Sequence, residues 1–250
     1  MDRTRLIASL RALPAGRRII TALDVPTMDQ ALNLAERIGD SGGFVKVGLE
    51  LYSAAGPEVV HRLKNLGRDV FLDLKYHDIP NTVASAARVA ASLGASLCTV
   101  HASNGRAALT AAAAALAEGP VDPRTGRRPA LLAVTILTSL SEKEMGEVSP
   151  SHDSLQDRIQ RLARLAWDCG CDGLVCSAAD LPGLRAVLGP DPLIVTPGIR
   201  PAGAAAGDQH RVATPRQALD AGADFLVIGR PITQAPDPGA ALQAIAAELA

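Results

Sequence analysis

Eight short runs rich in β-branched and other apolar residues, separated by stretches of helical pattern, constrain this chain more than any other feature. The runs are RIITALDV (18–25), GFVKVG (43–48), DVFLDLK (69–75), SLCTVH (96–101), ALLAVT (130–135), DGLVCS (172–177), LIVTPG (193–198) and DFLVIG (224–229). Between them, TMDQALNLAERIG opens on a threonine in capping position and stops at glycine, and NTVASAARVAASLG does the same from Asn81. HDSLQDRIQRLARLAWDCG places Leu155, Ile159, Leu162 and Ala166 on one face at helical spacing. Strands that alternate with helices form parallel sheets, because a crossover must carry the chain back to the same end, and the crossover is right-handed. Eight such units predict a (β/α)8 barrel, and 250 residues suits one barrel domain spanning 1–250. An open doubly wound sheet is the alternative. It is weakened because no glycine-rich dinucleotide fingerprint follows the first strand.

Composition narrows the function classes. Aromatic residues make up only 2% of the chain, too few for a base-stacking platform on single-stranded nucleic acid. The net charge of −1 supplies no basic field for a polyanion, so any phosphate must be bound locally. Cys98, Cys169, Cys171 and Cys176 form no paired CxxC framework and read as buried thiols in a reducing compartment, with a zinc site or disulfide as the alternative. No uninterrupted apolar stretch approaches the ~18 residues of a membrane span, and MDRTRLIASLRALPAGRR lacks a long apolar signal segment. The expectation is a cytoplasmic protein with no membrane partner.

Against this background the segment FLDLKYHDIPNTV (71–83) stands out, because charged side chains interrupt an apolar strand. Burying a lone charge costs several kcal/mol unless a partner compensates. Strand side chains alternate between faces. Val70, Leu72 and Leu74 are thus expected to face the helices, and Phe71, Asp73 and Lys75 the barrel interior. By the same rule Phe44 and Lys46 turn inward from the second run, and Ile20, Ala22 and Asp24 from the first. Three neighbouring strands deliver Asp24, Lys46, Asp73 and Lys75 to the carboxyl-end mouth, where barrel active sites lie. The bland alternative is a self-satisfied salt-bridge network that closes the barrel. Four charges of alternating sign at adjacent strand ends are costly unless they carry chemistry.

Asp78 lies past the strand end, before Ile79-Pro80, and the proline directs an extended turn there. It either points away from its own barrel or serves the turn. His77 reads as a turn or surface histidine, and His101, better placed at the end of the fourth run but with no nucleophile to pair with, as a supporting residue of the site or a structural one. EGPVDPRTGRRP (118–129) is a polar loop before the fifth strand, and the TAAAAALAEG run before it is a small-residue helix with no assigned function. At the other side of the mouth, TPGIR and VIGRPI end the seventh and eighth runs, and loops after these two strands frequently bind phosphate. Gly229 allows close backbone approach, while Arg200 and Arg230 offer planar donors matched to phosphate. The Gly/Ala-rich stretch 201–215 reads as a lid from which Gln209 reaches inward.

The segments ALDV, VKVG, DLKYHDIPNTV, VTILTS, TPGIRPAG…GDQHRV and VIGRPI, in this order, resemble the orotidine 5′-phosphate decarboxylase family over nearly the whole chain. The resemblance implies decarboxylation of orotidine 5′-monophosphate to UMP in pyrimidine biosynthesis, without metal or organic cofactor, in a homodimeric barrel. It implies that Lys46, Asp73, Lys75 and the partner subunit's Asp78 form the charged array, with Lys75 protonating C6 of the pyrimidine. Asp24 would hold the ribose hydroxyls, helped by Lys46 and the partner subunit's Thr82. Thr138, or the adjacent Ser139, would contact the pyrimidine edge, and Pro197 would line the base pocket. Arg200, Gln209, Gly229 and Arg230 would hold the phosphate. Metal-dependent sugar-phosphate decarboxylases and aldolases of the same superfamily share D-x-K-x-x-D but carry an acidic metal ligand on the second strand, where this chain has Lys46. A non-catalytic phosphate-binding barrel is the remaining rival.

Overall fold

The structure is a computed structural model in which residues 1–149, 153–201 and 213–249 are described. Eight parallel strands close on themselves in sequence order: β1 (Ile19–Ala22), β2 (Phe44–Val47), β3 (Asp69–Tyr76), β4 (Leu97–His101), β5 (Ala130–Val134), β6 (Gly173–Val175), β7 (Leu193–Thr196) and β8 (Phe225–Ile228). β1 completes the ring by pairing with β8 through Ile20↔Val227. Every expected strand is present, and β1 is trimmed so that Asp24 stands beyond its end. β6 and β7 approach closely because residue 173 is glycine. A Cβ there would stand 2.0 Å from the Leu193 carbonyl oxygen.

The helices begin where local chemistry allows. Met28–Ile38 is capped by Thr27, whose hydroxyl accepts the Gln30 N–H, and it stops at Gly39. Leu155–Asp168 buries Ile159 and Ala166 of the expected face, with Ala163 beside them, and leaves Leu155 and Leu162 partly buried. Pro80–Ser92 departs from expectation: its N-cap is Ile79, not Asn81. Proline suits the first helical position, since its fixed φ is already helical and its missing N–H would have had no partner.

Alternation along the strands sorts the apolar residues into two cores. Val45, Val47, Val70, Leu72, Cys98 and Val100 pack outward under the helices. Ile20, Ala22, Phe44, Phe71, Leu97, Leu132, Val195, Phe225 and Val227 fill the barrel interior. Phe44 and Phe225 meet edge to face there, ring centroids 5.3 Å apart. The amino-terminal helix Arg3–Arg11 closes the interior from the amino end of the strands. Its Leu6, Ile7 and Leu10 join the interior core, each contributing on the order of 2 kcal/mol by burial. Arg3 pins the helix, its guanidinium 3.7 Å from the Trp167 ring and donating to the Trp167 carbonyl at 3.0 Å. All four cysteines are free and buried, and burial pushes the Cys98 thiol up to about 12. Among the described residues no helix is long and apolar enough to cross a membrane.

Candidate active site

The inward faces of the strands are mostly apolar through the barrel and, on β2 and β3, end in charge at the carboxyl rim. On β2 the sequence runs Phe44 to Lys46, and on β3 Phe71 to Asp73 to Lys75. The four rim charges make a continuous chain of alternating sign. Lys46 Nζ lies 2.9 Å from Asp24 Oδ1 and 4.0 Å from Asp73 Oδ2, and Lys75 Nζ lies 3.0 Å from Asp73 Oδ2. Their side chains differ in exposure: 11% for Asp73 and 13% for Lys46, against 30% for Lys75 and 59% for Asp24. Desolvation therefore weighs most on the central pair, and each of those two charges depends on its neighbours for compensation.

The backbone at this point is strained. Lys75, at φ 51°, is the one non-glycine residue with positive φ among the described residues. Such a conformation costs roughly 1–3 kcal/mol, and it persists only where the surroundings impose it. The pairing register between β3 and β4 shifts across the same stretch, between Leu72 and Tyr76.

A cavity of about 840 Å³ opens over the rim, a volume suited to a ligand of nucleotide size. Asp24, Lys46, Asp73, Lys75, Thr138, Pro197, Arg200, Gly229 and Arg230 all line it. Thr138 lines the cavity and Ser139 does not. The structure thus gathers nine of the twelve residues singled out in the sequence; of the other three, two stand apart from the cavity and one is not described. Gln209 falls within 202–212, outside the described residues. Asp78 and Thr82 are exposed and do not line this cavity. Asp78 sits in a turn: its N–H donates to Asn104 Oδ1 at 3.1 Å, and its Oδ1 accepts the Ile79 N–H at 2.6 Å. Ile79 beside it is 67% exposed.

The residues after β7 and β8 are held by the main chain. The Arg200 N–H donates to the Ala213 carbonyl at 2.9 Å, which anchors the far end of the 201–215 segment. The Gly229 carbonyl accepts the N–H groups of Ile232 and Thr233 at 2.9 and 3.0 Å, setting up the short helix Arg230–Thr233. Thr233 and Gln234 also line the cavity, and no motif in the sequence marks them. Gly48 is a further residue of the site that strand alternation does not reveal. A Cβ there would stand 2.9 Å from Lys46 Nζ and 3.5 Å from Asp24 Oδ1, so glycine makes room for that ion pair. A glycine close behind a charged strand end is the available signal.

His77 and His101 stack with ring centroids 5.2 Å apart, and His101 Nδ1 meets Ser103 Oγ at 2.7 Å. Burial foremost, then His77 and Lys75, lower the His101 pKa and favour its neutral ring. Neither histidine lines the cavity. Among the described residues no group of three or more His, Cys, Asp or Glu side chains is arranged as a metal ligand set.

The comparisons with known proteins agree with this geometry. Residues 17–245 match the family model for the orotidine 5′-phosphate decarboxylase / HUMPS family. Orotidine 5′-phosphate decarboxylase of Anaeromyxobacter sp. is 51% identical over 94% of this chain and 99% of that protein. The enzyme of the same name from Nitrosococcus oceani is 49% identical over 93% and 97% respectively. Among solved structures, orotidine 5′-phosphate decarboxylase from Lactobacillus acidophilus superposes with a TM-score of 0.83 at 40% identity, covering 93% of this chain and 98% of that one. The same enzyme from Pyrococcus horikoshii superposes with a TM-score of 0.71 at 27% identity, covering 92% and 98%. With the barrel closed, the rim charges aligned and relatives matching over nearly their full length, this chain belongs to the orotidine 5′-phosphate decarboxylase / HUMPS family.

Proposed function

We propose that this protein is a single-domain, metal- and cofactor-independent decarboxylase that converts orotidine 5′-monophosphate to UMP in pyrimidine biosynthesis. The observation that carries the reading is the Asp24–Lys46–Asp73–Lys75 chain on the wall of a cavity that Arg200 and Arg230 also line. Loss of CO2 from C6 leaves a carbanion in the plane of the ring, where the π-system cannot delocalise it. With no cofactor as electron sink, the protein must supply stabilisation on the order of 20 kcal/mol, near the upper end of enzyme accelerations. A fixed ammonium beside C6 opposes the developing negative charge and then donates the proton.

Lys75 is assigned that role. Asp73 keeps it charged and aimed, and Lys46 balances Asp73. Asp24 takes the ribose hydroxyls, Thr138 the pyrimidine edge and Pro197 the base. Arg200, Gly229, Arg230 and Gln209 take the phosphate. Binding energy from the phosphate, remote from the reacting carbon, organises the charges. The protein is read as a cytoplasmic homodimer in which Asp78 and Thr82 serve the partner subunit's site. Their exposure, their separation from their own cavity and the exposed Ile79 beside them support that reading. Lys46 on β2, in place of an acidic metal ligand, favours this reaction over a sugar-phosphate lyase within the same family.

The test follows the loss of orotate absorbance with purified protein, with and without EDTA, beside a parallel assay on a hexulose phosphate. Decarboxylation unaffected by the chelator is expected. Chelator-sensitive lyase activity on the hexulose phosphate would overturn the assignment, and tight UMP binding without turnover would favour a silent barrel. For the shared site, Lys75→Ala and Asp78→Ala chains are mixed. Hybrid dimers should regain partial activity, because one of their two sites is intact. Hybrids that form and stay inactive would contradict sharing.

A further inference from the structure

We propose that Thr99 on β4 is a positioning residue for this reaction, holding the Asp73 carboxylate and the Lys75 backbone in working geometry; the inference rests on the decarboxylase reading above. Thr99 is completely buried. It sits between Cys98 and Val100, which pack outward, so its side chain faces the barrel interior. Its hydroxyl donates to Asp73 Oδ1 at 3.0 Å and accepts the Lys75 N–H at 2.8 Å. The directions are forced, since a carboxylate only accepts and an amide N–H only donates.

The sheet makes this hydroxyl necessary. Continuing the pairs Phe71↔Leu97 and Leu72↔Cys98 would set Leu74 against Val100, yet the observed partner of Val100 is Tyr76, so β3 carries two extra residues here. The bulge opens the ladder at Lys75, the residue with the left-handed backbone. Within this bulge the Thr99 hydroxyl takes the Lys75 N–H. It also fixes one oxygen of Asp73, which leaves Oδ2 to face Lys75 Nζ at 3.0 Å and Lys46 Nζ at 4.0 Å. Thr21, Thr135 and Thr196 are equally buried, and their hydroxyls have no hydrogen-bond partner among the described residues. Thr99 is the member of this group of buried threonines whose hydroxyl grips two members of the charged array.

The experiment measures steady-state kinetics on orotidine 5′-monophosphate, and UMP affinity, for the unsubstituted protein, Thr99→Val, Thr99→Ser and the control Thr21→Val. Thr99→Val keeps the shape and removes the hydroxyl. Its kcat should fall on the order of 10²-fold, the usual scale for losing a group that orients a catalytic residue. KM and UMP affinity should stay within about threefold, because what is lost acts in the transition state. Thr99→Ser should recover kcat to within about fivefold, since it restores both hydrogen bonds. Thr21→Val should match the unsubstituted protein. The inference is overturned if Thr99→Val keeps its kcat, if the Val and Ser variants fall together, or if Thr99→Val loses UMP binding along with turnover. An unsubstituted protein that does not decarboxylate the nucleotide would instead remove the functional reading, and this inference with it.

Discussion

The two rims of the barrel carry charges of both signs and use them differently. At the amino ends of the strands the partners are mostly arginines. Arg128 grips Asp172 through two bonds of 2.7 and 2.8 Å, and Asp172 also accepts the Leu131 N–H at 2.8 Å. Asp224 is held by Arg11 at 2.8 Å, by Arg185 at 3.1 Å and by the Ile194 N–H at 2.8 Å. Asp69 takes a hydrogen bond from Ser96 Oγ at 2.9 Å, with Arg17, Lys64, Arg124 and Arg127 between 3.6 and 3.9 Å away. At the carboxyl rim the cations paired with Asp24 and Asp73 are lysines, each contact is through a single nitrogen, and the backbone of Lys75 is left-handed. An arginine fork fixes a carboxylate in place but cannot release a proton, whereas an ammonium can. The same pairing of charges therefore locks one end of the barrel and leaves an ammonium group on a strained backbone at the other.

The largest test of that division is Lys75→Ala. Turnover should fall by about 10⁴-fold or more, on the scale of a general acid together with the electrostatic stabilisation it brings. UMP binding, followed by calorimetry, should largely persist; a retained rate would remove the role assigned to Lys75. At the opposite rim, Arg128→Ala should leave kcat unchanged and lower the unfolding free energy by about 3–5 kcal/mol in urea titration, because it strands a buried carboxylate. A kcat that falls with stability there would blur the contrast between the rims.

A smaller effect separates the rims by pH. Burial raises the Asp122 carboxyl, but the hydrogen bond from Lys64, the Arg124 N–H and the charges of both residues outweigh it and hold the pKa below its ordinary 3.8. The folded value is depressed, so this stabilisation is complete above the unfolded pKa and fades as pH falls through the folded one. Asp122→Asn should cost about 1–3 kcal/mol at neutral pH, the range for a hydrogen bond to a charged group. It should also flatten the acid limb of a stability–pH curve. An unaltered acid limb would contradict the assigned network.

Much of this is legible in the sequence, and what escapes has physical reasons. The strands and their inward faces follow from a period of two, which is local, so alternation alone puts Asp24, Lys46, Asp73 and Lys75 on one rim. Leu6, Ile7 and Leu10 show helical spacing, but nothing local says that the helix plugs the barrel. The loop 118–129 reads as featureless because Asp122, Arg124 and Arg128 find partners far away in the chain, at Lys64, Asp69 and Asp172. The bulge that strains Lys75 depends on the register between two strands, which alternation within one strand does not encode. A threonine on the inward face of β4 is its one visible trace.

Equilibrium unfolding of Lys75→Gly, with its turnover recorded on the same preparation, bears most directly on the claim that strain at this rim is held for chemistry. Glycine relieves the left-handed backbone and removes the ammonium together. The expected result is an unfolding free energy at or above that of the unsubstituted protein, with turnover lost. A loss of about 3 kcal/mol, the scale of a broken structural ion pair, or a protein that still decarboxylates, would contradict it.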